Sequence, residues 1–206
     1  MNTGKDQSTL AKSVQGFDDP PVARAIFGEV RWAWIWLILR LYVGYEWVSA
    51  GWAKVTNLVW VGDKAGTALA GFINGALAKT AGAHPDVQPW YAAFLQSLVL
   101  PHVRAWSYLI SFGETLVGIA LILGLFTGVA AFFGSFMNVN YLMAGAVSTN
   151  PILFAIATWL VLGWKIAGWW GLDRWILPAL GTPWRPGSVF QGDRQAKGQD
   201  MPQAAD

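Results

Sequence analysis

The chain has 206 residues, 54% of them hydrophobic and 13% charged, with a formal net charge of +2 and no cysteine; its mean hydropathy is +0.38. Soluble domains carry about 25% charged residues, so the composition points to an integral membrane protein, and no basic run points to nucleic acid. Without cysteine there are no disulfides, thiolate nucleophiles, Fe–S clusters or Cys-ligated metals within the chain.

Residues 1–31 are polar, lack the order of a signal peptide and are broken by Asp18-Asp19-Pro20-Pro21, which reads as a cytoplasmic tail. The apolar stretch at 32–53 is the first predicted transmembrane helix, since roughly 20 apolar residues span a bilayer. A long loop follows. Two amphipathic helices are predicted in it, at 65–80 and 88–100, lying on the membrane surface or capping the bundle. Three further spans are predicted at 103–125, 129–147 and 151–171, with Pro151 suited to a first helical position. Residues 176–206 read as a second cytoplasmic tail. The fold class is therefore an all-α membrane protein, a four-transmembrane-helix bundle over 32–175. Lys5, Lys12, Arg24, Arg31, Arg174, Arg185, Arg194 and Lys197 outnumber the loop cations Lys54, Lys64, Lys79 and Arg104. The positive-inside rule then places both termini in the cytoplasm of a multi-pass plasma-membrane protein.

Ionisable groups inside a span are expensive and mark a candidate functional site. Arg40, Gly44, Trp47, Gly51 and Lys54 share one stripe of the first span at helical spacing. Ser107, Ser111, Glu114 and Gly118 make a matching stripe on the second. At about 1.5 Å per residue, Arg40, Glu114 and Asn138 fall near mid-span, so an Arg40–Glu114 pair is predicted, with Asn138, Asn140 or Tyr141 completing a network. That network reads either as a ligand-lining site or as polar glue between helices. Lys54, His102 and Arg104 are candidates for an anion-attracting patch at the outer surface, or else cations snorkelling at the membrane edge. His84 reads as a loop residue. Trp47 and Trp159 could flank an apolar ring. Gly44, Gly51, Gly118 and Gly145 are expected to let helices approach closely. Glu46 lies off the stripe, with no role assigned.

Several motifs resemble the DoxX/DoxD family of small four-helix membrane proteins. They are Arg40-Leu41-Tyr42-Val43-Gly44-Tyr45, Gly51-Trp52-Ala53-Lys54, Gly113-Glu114-Thr115-Leu116-Val117-Gly118, Leu123-Gly124-Leu125, Asn140-Tyr141-Leu142-Met143-Ala144-Gly145, Ser148-Thr149-Asn150-Pro151 and Gly171-Leu172-Asp173-Arg174. Within that family the likeness is to thiosulfate:quinone oxidoreductases. It implies an oxidoreductase activity in which thiosulfate is oxidised and electrons pass to membrane quinone. On that implication Arg40 and Glu114 are the catalytic candidates. Trp47, Asn138 and Tyr141 are the quinone-binding ones, and Lys54, His102 and Arg104 hold the anion. No metal or haem ligand set is evident, so electron transfer must be direct or use a partner subunit. The alternative is a non-catalytic accessory or anchor subunit of a larger membrane redox complex, with a homo-oligomer also open.

Overall fold

The computed structural model describes residues 19–183. What was expected of residues 1–18 and 184–206 lies outside the described residues. Every regular element among the described residues is helical. The described residues open with α1, Pro21–Gly28, where the sequence predicted a tail. Pro21 sits at the start of this helix, where its fixed φ is an advantage and its missing N–H no loss. Phe27 then packs on Trp36 with ring centroids 5.4 Å apart, and Trp36 Nε1 donates to the Ile26 carbonyl at 2.9 Å. These contacts tie α1 to α2, Ala33–Val55.

After α2 come α3, Thr67–Leu77, and α4, Pro89–Phe94. The chain then passes through a widened π turn at Leu95–Val99 and a tight turn at Leu100–His102 into α5, Val103–Leu123. This corrects the expectation of a separate helix at 88–100. Pro101 cannot donate to the carbonyl one turn back. The widened turn absorbs that missing bond, so residues 89–123 stay one helical run. That run is long and apolar enough to cross a membrane.

Gly124, with φ +65°, ends α5 in the left-handed conformation glycine favours. There follow α6, Thr127–Met143, and α7, Asn150–Leu162, with Pro151 in its first turn. The expected fourth span is broken at Gly163. A Cβ there would stand 2.9 Å from Trp36 Cη2, so glycine lets that indole close on the chain before the short α8, Trp164–Ala167. Helix α9, Asp173–Ala179, extends into the stretch expected to be tail.

The helices α2, α5, α6 and α7 alternate in direction. Gly44 meets Ile122 and Gly51 meets Thr115, so α2 and α5 are antiparallel; Gly128 meets Trp164 at the base of the α6–α7 pair. Gly44, Gly51 and Gly118 all sit in the α2–α5 contact, as expected. Gly145 does not: its φ of +70° makes a turn under Lys79, whose ammonium donates to its carbonyl at 2.6 Å. Two cores result. One joins Trp36, Val43, Trp47, Leu121, Ala131, Ala157 and Leu160 inside the bundle. The other joins Leu69, Ile73, Tyr91, Leu95 and Val99, so α3 and α4 cap one end of the bundle by packing against each other and α5. Outward-facing side chains are strongly apolar, among them Trp34, Ile38, Leu116, Phe132, Phe136, Ile152 and Trp159.

Candidate functional site

Polar groups meet at one end of the α2–α5 contact, next to the α3/α4 cap. The serine stripe of α5 is buried against α2 as its spacing predicts, and Ser107 Oγ donates to the Trp60 carbonyl at 2.6 Å. Glu114, 1% exposed, accepts a hydrogen bond from Lys54 Nζ at 2.5 Å and another, also short, from the Tyr141 hydroxyl. The Lys54 ammonium also lies 5.3 Å from the Trp60 ring centroid, within cation–π range. A buried carboxylate needs both a counter-charge and hydrogen bonds. Lys54 and Tyr141 supply them from two other helices.

The predicted Arg40–Glu114 pair is not formed. The expected depths came from counting along each span separately. The antiparallel register instead sets Glu114 beside Gly51 and Thr115, eleven residues from Arg40 on α2. At 1.5 Å per residue that is ~16 Å along the axis. Arg40 is fully buried at the opposite end. Its Nη2 donates to the Trp170 carbonyl at 2.9 Å and its guanidinium presses on the backbone of Gly124 and Gly171. Asp173 couples to it electrostatically. That carboxylate accepts from the backbone N–H groups of Phe126 at 2.6 Å and Thr127 at 2.8 Å, capping α6 from a distant part of the chain. Arg40 thus fastens the corner where α5, α6 and α9 meet. In the sequence Asp173 stood only within a family motif, with no role assigned. The available signal was glycine at both Gly124 and Gly171, which leaves room for an arginine head group.

The anion patch is also not assembled as predicted. Lys54 is committed to Glu114, while Arg104 is ten residues before Glu114 at the start of α5, ~15 Å along the axis, and exposed, as is His102. His84 lies in an exposed loop stretch.

Beside the Lys54–Glu114–Tyr141 cluster lies a cavity of about 310 Å³, walled by Leu69, Ile73, Leu95, Val117, Tyr91 and Tyr141 among others. Leu109, Phe133 and Phe136 form its outer side and are themselves exposed on the apolar surface. The Tyr91 hydroxyl donates toward Asn140, 3.0 Å from its carbonyl and 3.2 Å from its Oδ1. Of the three predicted quinone-binding residues, Tyr141 alone lines this cavity. Trp47 stacks behind Tyr141 at 6.4 Å, and Asn138 is buried in the bundle core. Trp159 faces outward, away from any ring site.

An apolar-skinned helical bundle with a charge cluster sealed inside it defines the class: a small all-helical membrane protein in contact with the lipid bilayer. The chain belongs to the DoxX family, a membrane family whose model matches residues 35–147. The matched segment holds α2 through α6, and with them Lys54, Glu114, Tyr141 and the cavity. No curated protein and no solved structure shows significant similarity to the chain.

Proposed function

We propose that the chain is a quinone-linked membrane oxidoreductase, passing electrons from thiosulfate or a similar small reductant to membrane quinone. One observation carries the reading. An apolar cavity of about 310 Å³ is lined by Tyr141, whose hydroxyl is hydrogen-bonded to a buried carboxylate paired with Lys54. Small-molecule sites are mostly apolar, with a few placed polar groups and volumes of roughly 300–1,000 Å³. A quinone ring offers two carbonyl acceptors. With Glu114 protonated and donating to the Tyr141 oxygen, the Tyr141 hydroxyl turns its own proton to one of them, and an isoprenoid tail would leave between Leu109 and the Phe133/Phe136 pair into lipid. Quinone takes two electrons and two protons to become quinol. Two thiosulfate ions joined through a new S–S bond release those two electrons. Glu114, reached through Tyr141, relays protons, and Lys54 holds Glu114 in place. Arg104 and His102, exposed at the capped end, attract the dianion. Arg40 is left out of the chemistry.

The same reading takes α2, α5, α6, and α7 with α8 as four spans, supported by the apolar outer faces of these helices. It sets both described ends of the chain on the cytoplasmic side of the plasma membrane. The test uses purified protein in nanodiscs, with quinone-analogue binding read by tryptophan quenching and turnover read with thiosulfate. Tyr141→Phe and Leu109→Trp, which fills the mouth of the cavity, should each weaken analogue binding at least tenfold. Unchanged affinity and turnover in both variants would overturn the site.

A second reading, an accessory subunit of a larger redox complex, is favoured by Glu46. This half-buried carboxylate lies mid-helix on the flank of α2 and has no partner among the described residues. A cationic residue in a neighbouring span would satisfy it. Native mass spectrometry of membrane extracts distinguishes the two: a stable complex lost in Glu46→Leu, with no turnover by the isolated chain, supports the accessory role.

A further inference from the structure

Four buried polar atoms in the middle of the bundle have no hydrogen-bond partner among the described residues: Trp47 Nε1, Ser135 Oγ, and both Nδ2 and Oδ1 of Asn138. Asn138 is 0% exposed and Trp47 3%. The atoms come from two helices. A Cβ on Gly134 would stand 3.0 Å from Trp47 Nε1, and the Trp47 ring stacks on Tyr141. Gly134, Asn138 and Tyr141 are spaced i, i+4, i+7, one face of α6. The indole therefore lies along the turn that carries Asn138, and Ser135 flanks the same turn.

Buried polar groups in native proteins are satisfied by protein or by ordered water. A buried water needs about two to four polar partners. The indole N–H donates, the Asn138 amide both donates and accepts, and the Ser135 hydroxyl does either. That set fits a neutral molecule with two donors and two acceptors. It fits an ion poorly, because no charged group belongs to the set.

We propose that Trp47, Ser135 and Asn138 enclose an internal hydration site, separate from the apolar cavity, that holds at least one water molecule in the bundle core. Trp47 is one helical turn before Gly51, the residue packed on Thr115 beside Glu114. The site is thus ~6 Å along the axis from the level of Glu114. Water there gives Glu114 a proton path on the inner side of the bundle. This role rests on the quinone reading; the hydration itself does not. Asn138 is then a positioning residue that acts through water.

Radiolytic hydroxyl labelling of the full chain in nanodiscs, in ¹⁸O-water, tests it. Buried tryptophans beside a bound water take up label, and dry ones do not. The internal control is Trp36, also buried, whose Nε1 is satisfied by the Ile26 carbonyl. Trp47 should label at least fivefold faster than Trp36, and Asn138→Leu or Ser135→Ala should remove most of that difference. Equal labelling of Trp47 and Trp36 in the wild-type chain overturns the proposal without any variant. For the proton-path role, Asn138→Leu should lower kcat several-fold and enlarge the solvent deuterium effect, with quinone KM unchanged. An unchanged kcat overturns that role. Failure of the wild-type chain to bind quinone analogue would sink the function reading, leaving the labelling result to decide the water.

Discussion

Replacing Lys54 by Met would strand Glu114. The carboxylate is 1% exposed, and among the described residues the Tyr141 hydroxyl would be its one remaining partner. Removing one member of a buried ion pair costs ~3–5 kcal/mol, because the other charge stays desolvated. Lys54 is 19% exposed in its side chain, so it sits on the sheltered side of the range where that figure applies. In a chain of this length 1 kcal/mol moves the melting temperature by ~2–4 °C, so Lys54→Met should lower Tm by ~6–20 °C. The double variant Lys54→Met/Glu114→Gln removes the charge as well and keeps an amide oxygen for Tyr141. It should recover at least half of the loss. Intrinsic tryptophan fluorescence in detergent micelles, scanned at a fixed rate, reads both. A Lys54→Met Tm within ~2 °C of wild type, or a double variant no better than the single, would refute a sealed Lys54–Glu114 pair.

Three further outcomes follow from contacts elsewhere. A Cβ at Gly118 would stand 2.7 Å from Val48 Cα and 2.8 Å from the Gly44 carbonyl. Backbone on both sides cannot yield cheaply, so Gly118→Leu should exceed the usual ~1–3 kcal/mol of overpacking and disrupt the Lys54–Glu114 register, measured as loss of folded yield. Asp173→Ala removes the acceptor for two backbone N–H groups and should lower stability by ~1–2 kcal/mol, with quinone-analogue affinity unchanged by fluorescence titration. Arg40→Met should likewise leave that affinity within twofold, since Arg40 and the cavity are at opposite ends of α2; a tenfold loss would return Arg40 to the site.

Much of the architecture was legible because it depends on local rules. The long apolar runs, the turns at Gly124 and Ser148-Thr149-Asn150-Pro151, and the serine–glutamate stripe of α5 all follow from composition and helical spacing. Tyr141 and Glu114 were visible as polar residues in apolar helices. Other features were not. Helix α1 looked like tail because its stability comes from docking Phe27 and the Ile26 carbonyl on Trp36, a contact between segments. The continuity of residues 89–123 was hidden by Pro101, which ordinarily stops a helix and here is accommodated by a widened turn.

By itself the sequence determined which faces of α2 and α5 turn inward, because lipid rejects Arg40, Lys54, Ser107, Ser111 and Glu114 wherever the helices sit. It did not determine which charge meets which. Depth along a helix is relative to a neighbour, and the neighbour's position depends on how closely two backbones can approach. Gly44, Gly51 and Gly118 settle that approach, since any Cβ there would strike the facing helix, and the register they permit puts Glu114 next to Lys54. Arg40 is left to the other end, where Gly124 and Gly171 make room for it. The tertiary structure alone therefore separated one presumed charge network into two: a buried Lys54–Glu114–Tyr141 cluster beside a cavity, and an Arg40–Asp173 corner that holds the bundle together.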